Sequence, residues 1–241
     1  MASTSPDSSE LKSRPTSTPG KEKATLRRHY RALRRQLSSN QQIANAAGVQ
    51  HMLLRTLLLL RYQRIAAYLP ADGELDTQPI IRKLWEYAKQ PALPFLSTAY
   101  VFDTSQKMQM HFAPYGVNTP LVAGAYGLLE PASPRGTLRT RCPYDAQVLL
   151  MPLVAFDRTG TRLGMGGGFY DRYAQRHPTA LRIGLAHSVQ ESTTPLPRER
   201  WDTPLDAVLS ERETITFNKR ASALLCNTPQ TNARQETTLG Y

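Results

Sequence analysis

No aspartate or glutamate occurs between Ala24 and Arg64. That absence gives the stretch an unopposed charge. Cysteine is also scarce. Cys142 and Cys226 are far apart and lack the paired spacing of a metal site. They predict neither a disulfide framework nor a thiolate metal centre, and they suit a reducing, cytoplasmic setting. Long apolar runs are missing as well. A membrane span needs roughly 18 apolar residues, and Leu57 to Leu60 is short and bracketed by Arg55 and Arg61. The N-terminus has no apolar leader segment, and Asp7 and Glu10 count against a transit peptide.

The net charge is +11, and its placement matters more than its size. Arg27, Arg28, Arg31, Arg34, Arg35, Arg55, Arg61 and Arg64 give the acid-free stretch +8. Residues 65–213 carry 15 basic and 15 acidic side chains, so they are neutral, and the two ends supply the remaining +3. A neutral body with one basic region predicts an anionic partner: a nucleic acid, a nucleotide or an acidic metabolite. Aromatic residues do not interleave with these arginines, which weakens a single-strand nucleic-acid reading.

Residues 1–22 are rich in Ser, Thr and Pro, and residues 214–241 in Thr, Asn and Gln. Both ends are expected to be disordered, leaving one domain over 23–213. Leu26, Tyr30, Leu33 and Leu37 form an apolar helical stripe beside a basic one of Lys23, Arg27, Arg31 and Arg34. Ser38 or Ser39 reads as the N-cap of a second helix over about 40–60. Arg64 to Leu69 reads as a strand and Ala71 to Asp76 as a polar loop. Thr77 to Lys89 reads as a helix burying Ile80, Ile81, Leu84 and Tyr87. Further strands are predicted at 91–96, 107–113, 146–154, 181–186 and 207–209, with a helix at 171–177 and mostly loop over 114–145. Strands alternating with helices give an α/β fold, with a mainly parallel, Rossmann-like sheet flanked by helices. Ligands in such sheets sit beyond the carboxyl ends of the strands, where both the 71–76 loop and a glycine-rich loop fall.

That second loop is the most informative segment. Leu149 to Phe156 is an unbroken apolar run; then follow Arg162, Leu163, Gly164, Met165, Gly166, Gly167, Gly168, Phe169, Tyr170 and Asp171. Glycines let a backbone approach an anion closely, and successive N–H groups together with a helix N-terminus can hold phosphate. Arg162 offers a bidentate phosphate contact, and Asp171 a ligand for Mg²⁺. The pattern is neither a Walker loop nor a Rossmann fingerprint. Glu74 is the candidate acceptor for the N–H edge of a heterocycle, with a helix-capping role as its alternative.

The run PLVAFDRTGTRLGMGGGFYDRY resembles the signature of the 5-formyltetrahydrofolate cyclo-ligases, also called 5,10-methenyltetrahydrofolate synthetases. Lys23-Ala-Thr-Leu26-Arg27 with Arg34, Ala67 to Thr77, and Trp201 to Asp206 resemble the family's other segments in order and spacing. The resemblance spans about residues 23–211 and implies a monomeric, ATP- and Mg²⁺-dependent enzyme of the CoA-transferase-like α/β kind. It implies ATP contacts at Lys23, Arg27 and Arg162 through Tyr170, and folate contacts at Leu69, Glu74 and Met165 through Phe169. It further implies catalytic roles for Arg162 and Asp171, and metal positions at Asp171 and Asp206. The substrate would be a formyl-folate, with or without a polyglutamate tail, and no membrane or nucleic acid is expected as partner. Phe169 stands where Tyr is common, so a hydroxyl is lost there. An RNA- or nucleotide-binding protein of the same scaffold, using residues 24–64, is the alternative.

Overall fold

A computed structural model describes residues 19–56, 58–97, 108–132 and 144–226. The expected disorder of residues 1–18 and 227–241 lies outside the described residues, as does Cys142. The chain order is α1 (Pro19–Arg35), α2 (Ser39–Leu54), α3 (Leu58–Arg61), β1 (Arg64–Ala66), α4 (Gln78–Glu86), β2 (Gln90–Ser97) and β3 (Gln109–Pro114). There follow β4 (Leu121–Ala123), β5 (Leu129–Pro131), β6 (Val148–Pro152), β7 (Ala155–Phe156), β8 (Arg162–Leu163) and α5 (Phe169–Arg176). The described chain closes with β9 (Leu181–Leu185), β10 (Ala207–Leu209), β11 (Thr214–Thr216) and α6 (Lys219–Leu225). The folded body is therefore wider than 23–213. Helix α1 begins four residues earlier, and β11 and α6 occupy part of the expected C-terminal tail, where Ala221, Leu224 and Leu225 join the core.

Seven strands form one sheet in the order β11-β10-β9-β6-β1-β2-β3. The inner pairs are parallel and both edge pairs, β10–β11 and β2–β3, are antiparallel. Alternation along β6 sets the layers. Val148 and Leu150 face α2, α4 and α6, whereas Leu149 and Met151 face α5 and the β7–β8 hairpin. A third, smaller cluster seats Leu26, Tyr30 and Leu33 of α1 against Val154, Ala155, Leu163 and Leu196.

Local signals explain most boundaries. Ser38 caps α2 with a reciprocal Gln41 bond. That helix stops at Leu54 rather than running to 60, and the Thr56 hydroxyl closes its end by donating to Leu53 O at 2.7 Å. Tyr87 lies beyond the end of α4 and is exposed, not buried as its spacing suggests. The strand expected at 146–154 is shorter, because the chain leaves the sheet at Pro152 and turns into β7–β8.

Candidate active site

Helix α1, the loop after β1 and the loop after β8 converge at the carboxyl end of β6. Arg34 joins them. It is fully buried and donates from Nε to Asp72 O (2.8 Å), from Nη2 to Asp72 Oδ2 (2.9 Å) and from Nη1 to Leu153 O (3.1 Å). Its Nη1 lies 3.9 Å from Glu74 Oε1, and Nη2 reaches Met165 Sδ at 4.0 Å. Arg31 and Arg35 also bind Asp72. Burial pushes the Asp72 carboxyl up, but the Arg31, Arg35 and Arg34 bonds outweigh it and hold the pKa at about 2. Arg31 and Arg34, two of the four residues of the basic stripe, are thus directed at one carboxylate, and of the two only Arg34 is buried. Asp72 and Gly73 both take left-handed backbone, which Asp tolerates better than most residues, and so curl the loop around Arg34.

Glu74 does not cap the following helix. The Gln78 N–H goes to Asp76 Oδ1 at 2.9 Å, and the Thr77 hydroxyl donates to Tyr68 O. Glu74 Oε2 accepts instead from Ala71 N at 3.2 Å, within its own loop. Its side chain is largely buried, and this burial raises its pKa to about 6 against the lowering pull of Arg34. Tyr68 and Tyr170 lie close enough to sense that carboxylate; burial first, then Glu74, pushes both phenols up. Leu69, in the same loop, packs against the main core.

The glycine loop has three arginines around it. Arg27 donates from Nε to Gly164 O at 2.8 Å, and its guanidinium lies over Gly166. The Arg172 guanidinium lies beside Gly168 and 4.9 Å from the Phe169 ring centre. Arg162 is buried, with its side chain 4% exposed. Its Nη2 lies 2.9 Å from Asp171 Oδ1 without the alignment of a hydrogen bond, so Nε and Nη2 both lack a hydrogen-bond acceptor among the described residues. Asp171 balances the charge of this guanidinium, and the two unmatched N–H donors leave room for a further acceptor. Two glycines meet the expected backbone need: Gly166 has φ 106° and Gly168, the residue before α5, has φ 65°. Gly167 and, less strictly, Gly164 make room for side chains instead. A Cβ there would stand 2.8 Å from Arg162 Nη1 and from the Phe169 ring.

Asp171, in the first turn of α5, accepts from Thr203 N at 3.1 Å. Lys23 donates to Glu199 Oε2 (2.8 Å) and Asp202 Oδ2 (2.6 Å); burial lowers its pKa, but these two partners raise it further. It therefore reaches the segment before Thr203 rather than standing free beside the loop. Asp206 is occupied too. It precedes β10, at the amino end of that strand, and takes Arg182 N, Nε and Nη2 at 2.8, 2.9 and 2.8 Å and Asn218 Nδ2 at 2.6 Å. Those four donors saturate its carboxylate and, after burial raises its pKa, lower it below the usual range. Among the described residues, no group of three His, Cys, Asp or Glu side chains could hold a metal ion. No described helix is long and apolar enough to cross a membrane. The sequence reading overlooked Arg172 and Thr203. The signal for Arg172 was its place one turn after Gly168, but nothing local marks Thr203.

Residues 19–211 match the 5-formyltetrahydrofolate cyclo-ligase family. A 5-formyltetrahydrofolate cyclo-ligase of Haemophilus influenzae is 34% identical over 187 residues, covering 76% of this chain and 95% of the relative. That of Escherichia coli K12 is 40% identical over 149 residues, covering 61% of this chain and 76% of the relative. The solved structure of Aquifex aeolicus 5,10-methenyltetrahydrofolate synthetase superposes with a TM-score of 0.66 at 26% identity, covering 81% of this chain and 93% of that one. With the glycine loop, Glu74, Arg27 and Arg34 at one end of the sheet, Asp206 at the other, and the match running through nearly all of the folded body, the chain belongs to the 5-formyltetrahydrofolate cyclo-ligase family.

Proposed function

We propose that the chain converts 5-formyltetrahydrofolate to 5,10-methenyltetrahydrofolate, with ATP as co-substrate and ADP and phosphate as products. The observation that carries the ATP half is Arg162, a buried guanidinium with unmatched donors beside a glycine loop. Arg27 and the loop from Leu163 to Tyr170 complete the phosphate cradle, and Lys23 ties the amino-terminal part of α1 to Glu199 and Asp202, so it would reach phosphate only by leaving them. Glu74 and Leu69 lie in the loop that would take the folate, with Met165 to Phe169 between the two ligands. The formyl oxygen attacks the γ-phosphorus and ADP leaves. N10 then bonds to the formyl carbon and loses its proton, and the C–O bond breaks to release phosphate. Such a reaction asks for alignment and charge neutralisation, not for a protein nucleophile.

Asp171 suits a magnesium ion that takes its other ligands from phosphate and water, and such an ion would neutralise charge on the transferring group. Asp206 does not suit it, because its four acceptor positions are already filled. We assign Asp206 to joining β9 and β10. We further assign the chain a monomeric state, and its folate the option of a polyglutamate tail. Incubation with folinic acid, Mg²⁺ and ATP should build up methenyl-folate absorbance. No absorbance change at any enzyme concentration would refute this reading.

A further inference from the structure

We infer that Arg34 is a positioning residue that sets the folate-side loop against the phosphate-side loop, so that the formyl oxygen and the γ-phosphate meet. The inference rests on the function proposed above. Three chain segments depend on this one guanidinium. Asp72 O and Oδ2 tie it to the loop after β1, Leu153 O to the end of β6, and Met165 Sδ to the glycine loop. Planar, fixed donors suit such a junction, because each contact fixes the direction of the next. The side chain has no exposed surface, so it meets neither ligand from solvent; it acts through what it holds.

Arg34 also governs a charge. Glu74 faces Arg34 from α1, Asp72 from its own loop, Tyr68 from the end of β1 and Tyr170 from α5. Arg34 is the one cation among them, and it opposes both burial and the Asp72 charge in keeping Glu74 ionised. Removing it should raise the Glu74 pKa further, so the acid side of the folate profile should move to higher pH.

The experiment compares wild type with Arg34→Gln and Arg34→Lys. The KM values for folinic acid and ATP are measured separately, and kcat/KM for folinic acid is followed across pH. With Arg34→Gln, kcat should fall about a hundredfold as the reacting groups lose alignment. KM for folinic acid should rise about tenfold or more, because two of the three hydrogen bonds to oxygen go to the folate-side loop. KM for ATP should stay within about threefold, and the acid limb should move up by about one pH unit. Arg34→Lys should keep the limb near its wild-type position while still raising the folate KM, because charge remains but the fork is lost. Equal rises in both KM values, or an unmoved acid limb in Arg34→Gln, would overturn the inference. If Arg34→Gln does not fold, the KM split in Arg34→Lys decides alone. A wild-type protein inactive on folinic acid would instead sink the proposed function, which separates the two failures.

Discussion

At the residue scale, the site is a set of buried and half-buried charges, and one of them opposes folding. Glu74 has a folded pKa of about 6, above the ordinary carboxylate value of 4.5. Its sign follows: stability is fully present below the unfolded pKa and declines as pH rises from 4.5 through about 6. The penalty at neutral pH is about 2 kcal/mol at ~1.4 kcal/mol per unit. Glu74→Gln should therefore stabilise the protein by up to about 2 kcal/mol near pH 7.5 and by almost nothing near pH 4, while its folate KM rises. Urea unfolding at the two pH values checks the first part, and equal effects at both would contradict it. Sequence reading singled out Glu74 and left its capping alternative open; its bond to Ala71 N, with Asp76 taking the Gln78 N–H, closes that question. It found Asp206 by motif position but could not see Arg182 and Asn218 around it, because those contacts join β9, β10 and α6.

At the element scale, the glycine loop works through two distinct constraints. Gly166 needs positive φ, whereas Gly167 needs the absence of a side chain next to Phe169. At φ 106°, alanine in place of Gly166 costs about 1–3 kcal/mol of local strain, which displacement of the loop would relieve. Gly166→Ala should lower kcat about a hundredfold, the expected cost of misplacing reacting groups by about 1 Å. Circular dichroism should be unchanged. A kcat within twofold of wild type would show that the loop geometry is not the determinant. The helices of this site were legible because apolar spacing and the Ser38 cap are local signals. The β7–β8 hairpin was not, because its two-residue strands carry no periodicity and their pairing is settled by packing on α1 and the sheet.

At the scale of the whole molecule, a parallel centre with antiparallel edges brings the two loops to one sheet end. The parallel centre followed from alternating strands and helices; β11 and α6 did not, since their polar sequence reads as tail until Leu224 and Leu225 are seen in the core. Packing depends on Gly184 of β9, where a Cβ would stand 2.7 Å from Leu153 and 2.8 Å from Leu205 side chains. Gly184→Ala should destabilise by about 1–3 kcal/mol, seen as a lower urea midpoint with unchanged slope. An unshifted midpoint would mean that the hairpin layer yields freely. The central claim is that one cleft brings ATP and a formyl-folate together, with Arg162 holding the phosphates. Its most direct test measures ADP and methenyl-folate in the same reaction, for wild type and for Arg162→Ala. The account predicts one ADP per methenyl-folate in wild type, neither product when ATP or folinic acid is omitted, and a loss of both by at least about a hundredfold in the variant. ADP formed without folinic acid, or a fully active Arg162→Ala, would contradict it.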